Sequence, residues 1–190
     1  TGGTFVGNES ISGVQFDFNI PVNTNGKNLT LGGNVHISFK DSNCAIKMTG
    51  GNFKCGTFTD DHNNPKSVTL KGQSGKKWRG VIMESMDTVL IQNTEISDVD
   101  STGNENKYGI SALNCKAVSI DGCNVLNTSS SAGGIQLNYN TNLYMTPSIN
   151  ITNNTIKVKT ANYGGIYVHP YSWLTLTPYI YRNKIVNTSS

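Results

Sequence analysis

The sequence predicts an all-β solenoid, in which short strands coil and each stacks on its copy in the previous turn. Three observations predict it: a composition suited to strands and turns, a fourfold internal repeat, and the lack of any segment with helical patterning. Of the 190 residues, 14% are charged and 36% are hydrophobic, and Asn, Thr, Ser and Gly fill most of the remainder. That mixture is too poor in Ala, Leu, Glu and Lys for a helical protein. It is also too apolar and too weakly charged for a disordered one.

Two signatures carry the repeat. The first is a Gly followed by an apolar residue that opens a short strand: Gly80-Val81, Gly109-Ile110, Gly134-Ile135 and Gly165-Ile166. The second reads Ile91-QNTE-Ile96, Ile120-DGCN-Val125, Ile151-TNNT-Ile156 and Ile180-YRNK-Ile185, with first residues 29, 31 and 29 apart. Apolar residues alternate ahead of each bend, as in Val89-x-Ile91 and Val118-x-Ile120, so one face looks inward. Asn or Gly at the bend tolerates the left-handed backbone that β-branched residues refuse. Asn93 and Asn153 share a place in the repeat and Asn183 falls one residue later, which predicts an imperfect ladder of stacked amides. The strands are too short for a sandwich of long hairpins, and no helix is available for βαβ crossovers.

The first half follows the same plan less cleanly. Leu29-x-Leu31, Val35-x-Ile37-x-Phe39, Ile46-x-Met48 and Val68-x-Leu70 alternate, and Gly32-Gly33, Gly50-Gly51 and Gly72 mark turns. The expected organisation is one domain over 1–190, with less regular coils over 1–77 and regular coils over 78–190. At about 25 residues per coil the chain holds roughly seven coils, a stack on the order of 35 Å tall.

The Gly-Ile opening with the Ile-x-x-Asn-x-Ile bend resembles the right-handed parallel β-helix repeat of pectate lyases, NosD-like periplasmic proteins and large bacterial surface proteins. Trp78-Arg79-Gly80-Val81-Ile82 looks like the start of a coil in the long surface-protein repeats. The resemblance covers Trp78 to Ser190 well and Asn28 to Gly72 more weakly, and it is specific for fold rather than activity. It implies an extracellular or cell-surface setting.

The formal net charge is +3, with Lys76, Lys77 and Arg79 as the only tight basic group. No basic stripe points to nucleic acid and no apolar run approaches membrane-spanning length. Thr1-Gly2-Gly3 at the start reads as a processed or excised piece. Asn187-Thr188-Ser189-Ser190 at the other end lacks a capping pattern, so further coils or self-association are expected there. Cys44, Cys55, Cys115 and Cys123 contain no CxxC pair. They either pair as Cys44–Cys55 and Cys115–Cys123 in an oxidising compartment or pack as small apolar core residues. The sequons at Asn8, Asn28, Asn127, Asn150, Asn153 and Asn187 follow from an Asn/Thr-rich composition.

Lyases of the resembled fold use clustered carboxylates for calcium with Arg or Lys as base, and the hydrolases carry Asn-Thr-Asp, Asp-Asp and Gly-His-Gly signatures. Asp60-Asp61, beside His62, is the one such pair here and reads as a solvated loop. No catalytic residue is assigned. Asp98, Asp100, Thr102 and Glu105 place oxygens as in the first half of a calcium loop, so Ca²⁺ is the one candidate cofactor. The twelfth loop position holds Gly109 instead of an acid. Tyr163, Tyr167, His169, Tyr171 and Trp173 form the densest aromatic cluster. Alternation puts Tyr167, His169 and Tyr171 on one strand face, a platform for sugar rings. Trp78 and Arg79 are a second candidate patch. The expected function is a non-catalytic extracellular module with a structural, adhesive or glycan-binding role. The alternative is a polysaccharide lyase or epimerase acting on acidic polysaccharide.

Overall fold

The computed structural model describes residues 3–4, 9–11, 13, 15–18, 22–23, 25–57, 66–100, 107–127, 132–141, 143, 145–159, 164–172 and 174–188. In chain order the strands begin β1 (Gly3–Thr4), β2 (Glu9–Ile11), β3 (Gln15–Phe18), β4 (Val22–Asn23), β5 (Leu29–Leu31), β6 (Val35–Phe39) and β7 (Ile46–Thr49). They continue as β8 (Asn52–Cys55), β9 (Val68–Gly72), β10 (Val81–Glu84), β11 (Thr88–Gln92), β12 (Thr94–Ser97), β13 (Tyr108–Leu113) and β14 (Ala117–Asp121). The last are β15 (Asn124–Leu126), β16 (Gly133–Asn138), β17 (Ser148–Thr152), β18 (Thr155–Val158), β19 (Ile166–His169), β20 (Tyr179–Tyr181) and β21 (Lys184–Asn187).

Each strand pairs, always in parallel, with the strand three places along the chain. β1-β4-β7-β10-β13-β16-β19 form the first sheet, β2-β5-β8-β11-β14-β17-β20 the second, and β3-β6-β9-β12-β15-β18-β21 the third. The chain visits the three sheets in turn and climbs one strand spacing per circuit, which makes the protein a parallel β-solenoid. Among the described residues no helix is long and apolar enough to cross a membrane.

The period-2 pattern does its expected work. β11 and β14 alternate between half-exposed and buried residues, with Val89, Ile91, Val118 and Ile120 inward. Stacking in register, Ile91, Ile120 and Ile151 are each at most 1% exposed. Ile96, Val125 and Ile156 make the same ladder in the third sheet. Each such side chain contributes about 1.5–3 kcal/mol by leaving water. Because each coil contacts its neighbours, the core is one continuous column.

The bend after the second sheet contains two stacked rows rather than one. Asn93, Gly122, Asn153 and Arg182 occupy its left-handed position, with φ of 49°, 61°, 56° and 54°. The next position points inward and holds Thr94, Cys123, Asn154 and Asn183. Here the amides stack, but the ladder is Asn154 on Asn183, not Asn153 on Asn183. Asn183 Oδ1 accepts from the Asn154 backbone N–H at 3.1 Å and from its Nδ2 at 2.9 Å. Asn154 Oδ1 accepts from the Cys123 N–H at 2.9 Å. The spare donors reach the carbonyls of Ile120 and Ile151 at 2.9 and 2.8 Å, which satisfies backbone groups that the bend takes out of the sheet.

The glycine that opens β10, β13, β16 and β19 is required by close approach. A Cβ on Gly134 would meet the Gly165 carbonyl oxygen at 2.2 Å and Ile156 Cγ2 at 2.4 Å. A Cβ on Gly109 would likewise meet Val125 Cγ1 at 2.7 Å, and one on Gly165 would meet Ile185 Cγ2 at 2.6 Å. Gly134→Ala is expected to cost about 1–3 kcal/mol through overpacking. The check is a urea midpoint against wild type, and an unchanged midpoint contradicts this packing.

All four cysteines are buried free thiols. Burial pushes Cys55 and Cys123 from 9.0 up to about 12 and Cys115 up to about 11. A thiol whose folded pKa is raised stabilises the fold fully below the unfolded value, and that contribution is lost as pH climbs through the folded value. Stability is therefore expected to decline from about pH 9 towards about pH 12 as the unfolded chain gains thiolates. These thiols should also resist iodoacetamide at neutral pH until urea unfolds the chain, because the thiolate is the nucleophile. Mass spectrometry of the alkylated protein reads this directly.

Candidate functional site

The residues singled out in the sequence fall into three groups. Trp78 is fully buried, its ring stacked on Phe39 at 3.9 Å and 8°, and its Nε1 donates to the Ser97 carbonyl at 2.7 Å. It bridges to Val99 at the start of a coil, so it is a core residue and not part of a surface patch. Apolar burial of so large a side chain outweighs what its aromatic face would gain at the surface. Arg79 is half-buried and donates to Asn43 Oδ1 at 3.1 Å.

In the candidate calcium loop, Asp98 lies 3.7 Å from Lys77 Nζ and accepts from Ser97 Oγ at 3.4 Å. The Asp100 N–H donates to the Trp78 carbonyl at 2.9 Å. Thr102 and Glu105 lie outside the described residues, as do Asp60, Asp61 and His62. Among the described residues no three His, Cys, Asp or Glu side chains gather to hold a metal ion.

The third group is the aromatic cluster. Tyr167 and His169 are exposed on the outer surface of the first sheet, stacked at 6.1 Å and 17°. Tyr108 lies beneath Tyr167 at 6.1 Å. Tyr171 does not join them: it is partly buried and packs against the core. β19 ends at His169, and Pro170 cannot donate to the ladder, so the alternation stops there. Tyr163 and Trp173 lie outside the described residues.

The most developed surface feature is on the second sheet. Alternation turns three rows of side chains outward from β11, β14, β17 and β20. The middle row is Leu90, Ser119, Asn150 and Tyr179, and the next is Gln92, Asp121, Thr152 and Tyr181. These rows and Arg182 line a groove of about 450 Å³. A second groove of about 410 Å³, around Asn52, Lys54 and Thr88, shares Leu90 with it. A third, of about 560 Å³, shares Asn150 and Tyr179. Together they form one trough along the outer face of the sheet.

Asp121 is the focus of that trough. Its Oδ1 accepts from Thr152 Oγ1 at 2.6 Å and from Asn153 Nδ2 at 2.8 Å, and its Oδ2 accepts from Gln92 Nε2 at 3.2 Å. The donors come from the coils on either side, so the carboxylate is held by the stacking itself. Tyr179 and Tyr181 wall the groove, with ring centroids 5.8 Å apart and tilted by 34°. The Arg182 guanidinium carbon sits 4.9 Å over the Tyr181 ring. The arrangement offers ring faces for apolar surfaces, a fixed acceptor for hydroxyls, and amide groups of both polarities.

This site was in the repeat all along. Gln92, Asp121, Thr152 and Tyr181 each follow the first Ile of the second signature, so they share one outward row. Aligning the repeats on inward residues passes over that row, and local aromatic density draws attention to Tyr167 and His169 instead.

No family model, curated protein or solved structure matches the chain. What fold and site together define is a parallel β-solenoid with a polar and aromatic trough along one sheet.

Proposed function

We propose that the chain is a non-catalytic glycan-binding module of the cell exterior, in which the trough of the second sheet is the binding surface. The observation that carries this reading is Asp121, hydrogen-bonded from both neighbouring coils, within a groove walled by Tyr179 and Tyr181. Tyrosines pair a flat apolar face with a polar tip, which suits the alternation of C–H and O–H groups on a sugar ring. A shallow, pre-formed polar groove on stiff strands needs little reordering when it binds. An adhesive or structural role on a surface, with self-association or further coils, fits the same rigid column. The Gly-Ile opening and the Ile-x-x-Asn-x-Ile bend support a relationship to pectate-lyase-like and NosD-like solenoids.

The test is calorimetry against a panel of neutral and acidic oligosaccharides. Tyr181→Ala and Asp121→Asn are each expected to weaken binding about tenfold or more while leaving the fold intact. Binding that survives both substitutions moves the site elsewhere, with Tyr167 and His169 as the next surface to probe. Incubation with polyuronates and Ca²⁺ addresses the lyase alternative, since ultraviolet absorbance from unsaturated product would overturn the non-catalytic part of the reading.

A further inference from the structure

At one place the left-handed corner after the second sheet departs from its own repeat. Three coils fill that position with Asn93, Gly122 and Asn153, residue types that take a positive φ at low cost. The fourth fills it with Arg182 at φ 54°. Arg adopts this backbone less readily than Asn or Gly does. The guanidinium is exposed, lies over Tyr181 and lines the groove that contains Asp121. Among the described residues it forms no ion pair with a carboxylate. Stacking on the ring holds the planar fork in one orientation and leaves its N–H edges available.

We infer that Arg182 is a ligand-recognising residue, and that the glycan seated on Tyr179 and Tyr181 carries an anionic substituent, a carboxylate or a sulfate. This rests on the glycan-binding reading and adds the chemical class of its ligand. Asp121 lines the same groove with its charge shared among Thr152, Asn153 and Gln92, so it favours hydroxyls over the acid group. The groove thus divides its recognition: neutral hydroxyls at Asp121 and an acid at Arg182.

The experiment uses matched polymers that differ only in their acid: polygalacturonate against its fully methyl-esterified form, and dextran sulfate against dextran. At about 0.15 M salt, wild type is expected to bind the anionic member of at least one pair about tenfold more tightly than its neutral partner. The pair that shows the preference tells carboxylate from sulfate. Arg182→Asn is expected to abolish the preference and, because Asn accepts the left-handed backbone, to raise the melting temperature by about 2–4 °C. Equal affinity of wild type for both members of both pairs overturns the inference while leaving the glycan-binding reading intact. A preference that persists in Arg182→Asn also overturns it and assigns the selectivity to another cation such as Lys54. Failure of wild type to bind any of the four polymers, or any oligosaccharide of the calorimetric panel, overturns the glycan-binding reading itself.

Discussion

Ile151→Asp is expected to abolish cooperative folding. Ile151 is fully buried between Ile120 and Ile180 in the inward row of the second sheet. Asp removes the apolar surface of the side chain and places a carboxylate within the hydrophobic core. The combined cost is at least about 4 kcal/mol, against a total stability of about 5–15 kcal/mol for a domain. A solenoid suffers more than one local defect, because every coil borrows its stability from its neighbours. Circular dichroism melts and urea titrations check the outcome. Ile151→Val, expected to cost about 0.5–1.5 kcal/mol, is the control that keeps the ladder apolar. A wild-type midpoint in Ile151→Asp would place the residue outward and shift the register of the sheet by one.

Trp78→Ala is expected to be the largest loss outside the isoleucine ladders, about 3–5 kcal/mol. The substitution empties the space against Phe39 and strips the Ser97 carbonyl of its donor. Trp78→Phe should fall between Ala and wild type, since a six-membered ring can still stack on Phe39 while the hydrogen bond, worth about 1 kcal/mol, and part of the buried ring volume are lost. The ordering in urea midpoints, wild type above Phe above Ala, tests the buried assignment. If Trp78→Ala kept full stability and lost glycan binding, the side chain would belong to the surface after all.

Trp78 also shows where a linear reading of this chain reaches its limit. Beside Lys76, Lys77 and Arg79 it looks like part of a basic and aromatic patch. Its burial depends on Phe39, 39 residues earlier, and on Ser97, 19 residues later. Neither partner is visible in the local pattern. The aromatic cluster near the C-terminus behaves similarly. Tyr167 and His169 do lie on one outer face, but Pro170 ends the strand and Tyr171 turns to the core. The groove on the second sheet shows the reverse case. Its row of Gln92, Asp121, Thr152 and Tyr181 was present in the repeat, yet its members are about 30 residues apart in a coiled chain and carry no local motif.

The bend after the second sheet separates the two kinds of information most clearly. The spacing of 29, 31 and 29 residues and the alternation before each bend were enough to define a stacked all-β solenoid, to select the inward isoleucines, and to place Asn or Gly where the backbone turns left-handed. The left-handed corner holds Asn or Gly in three of these four repeats and Arg182 in the last. What the sequence supplied follows from chain geometry and side-chain volume, which act through near neighbours and repeat with the sequence. Only the tertiary structure decided that Asn154 rather than Asn153 stacks on Asn183, that Trp78 is core, and that Asp121 is held from both sides while Arg182 stands over Tyr181. Those outcomes depend on which residues of successive coils come within about 3–5 Å of one another, a relation created by the stacking and absent from the chain before it coils.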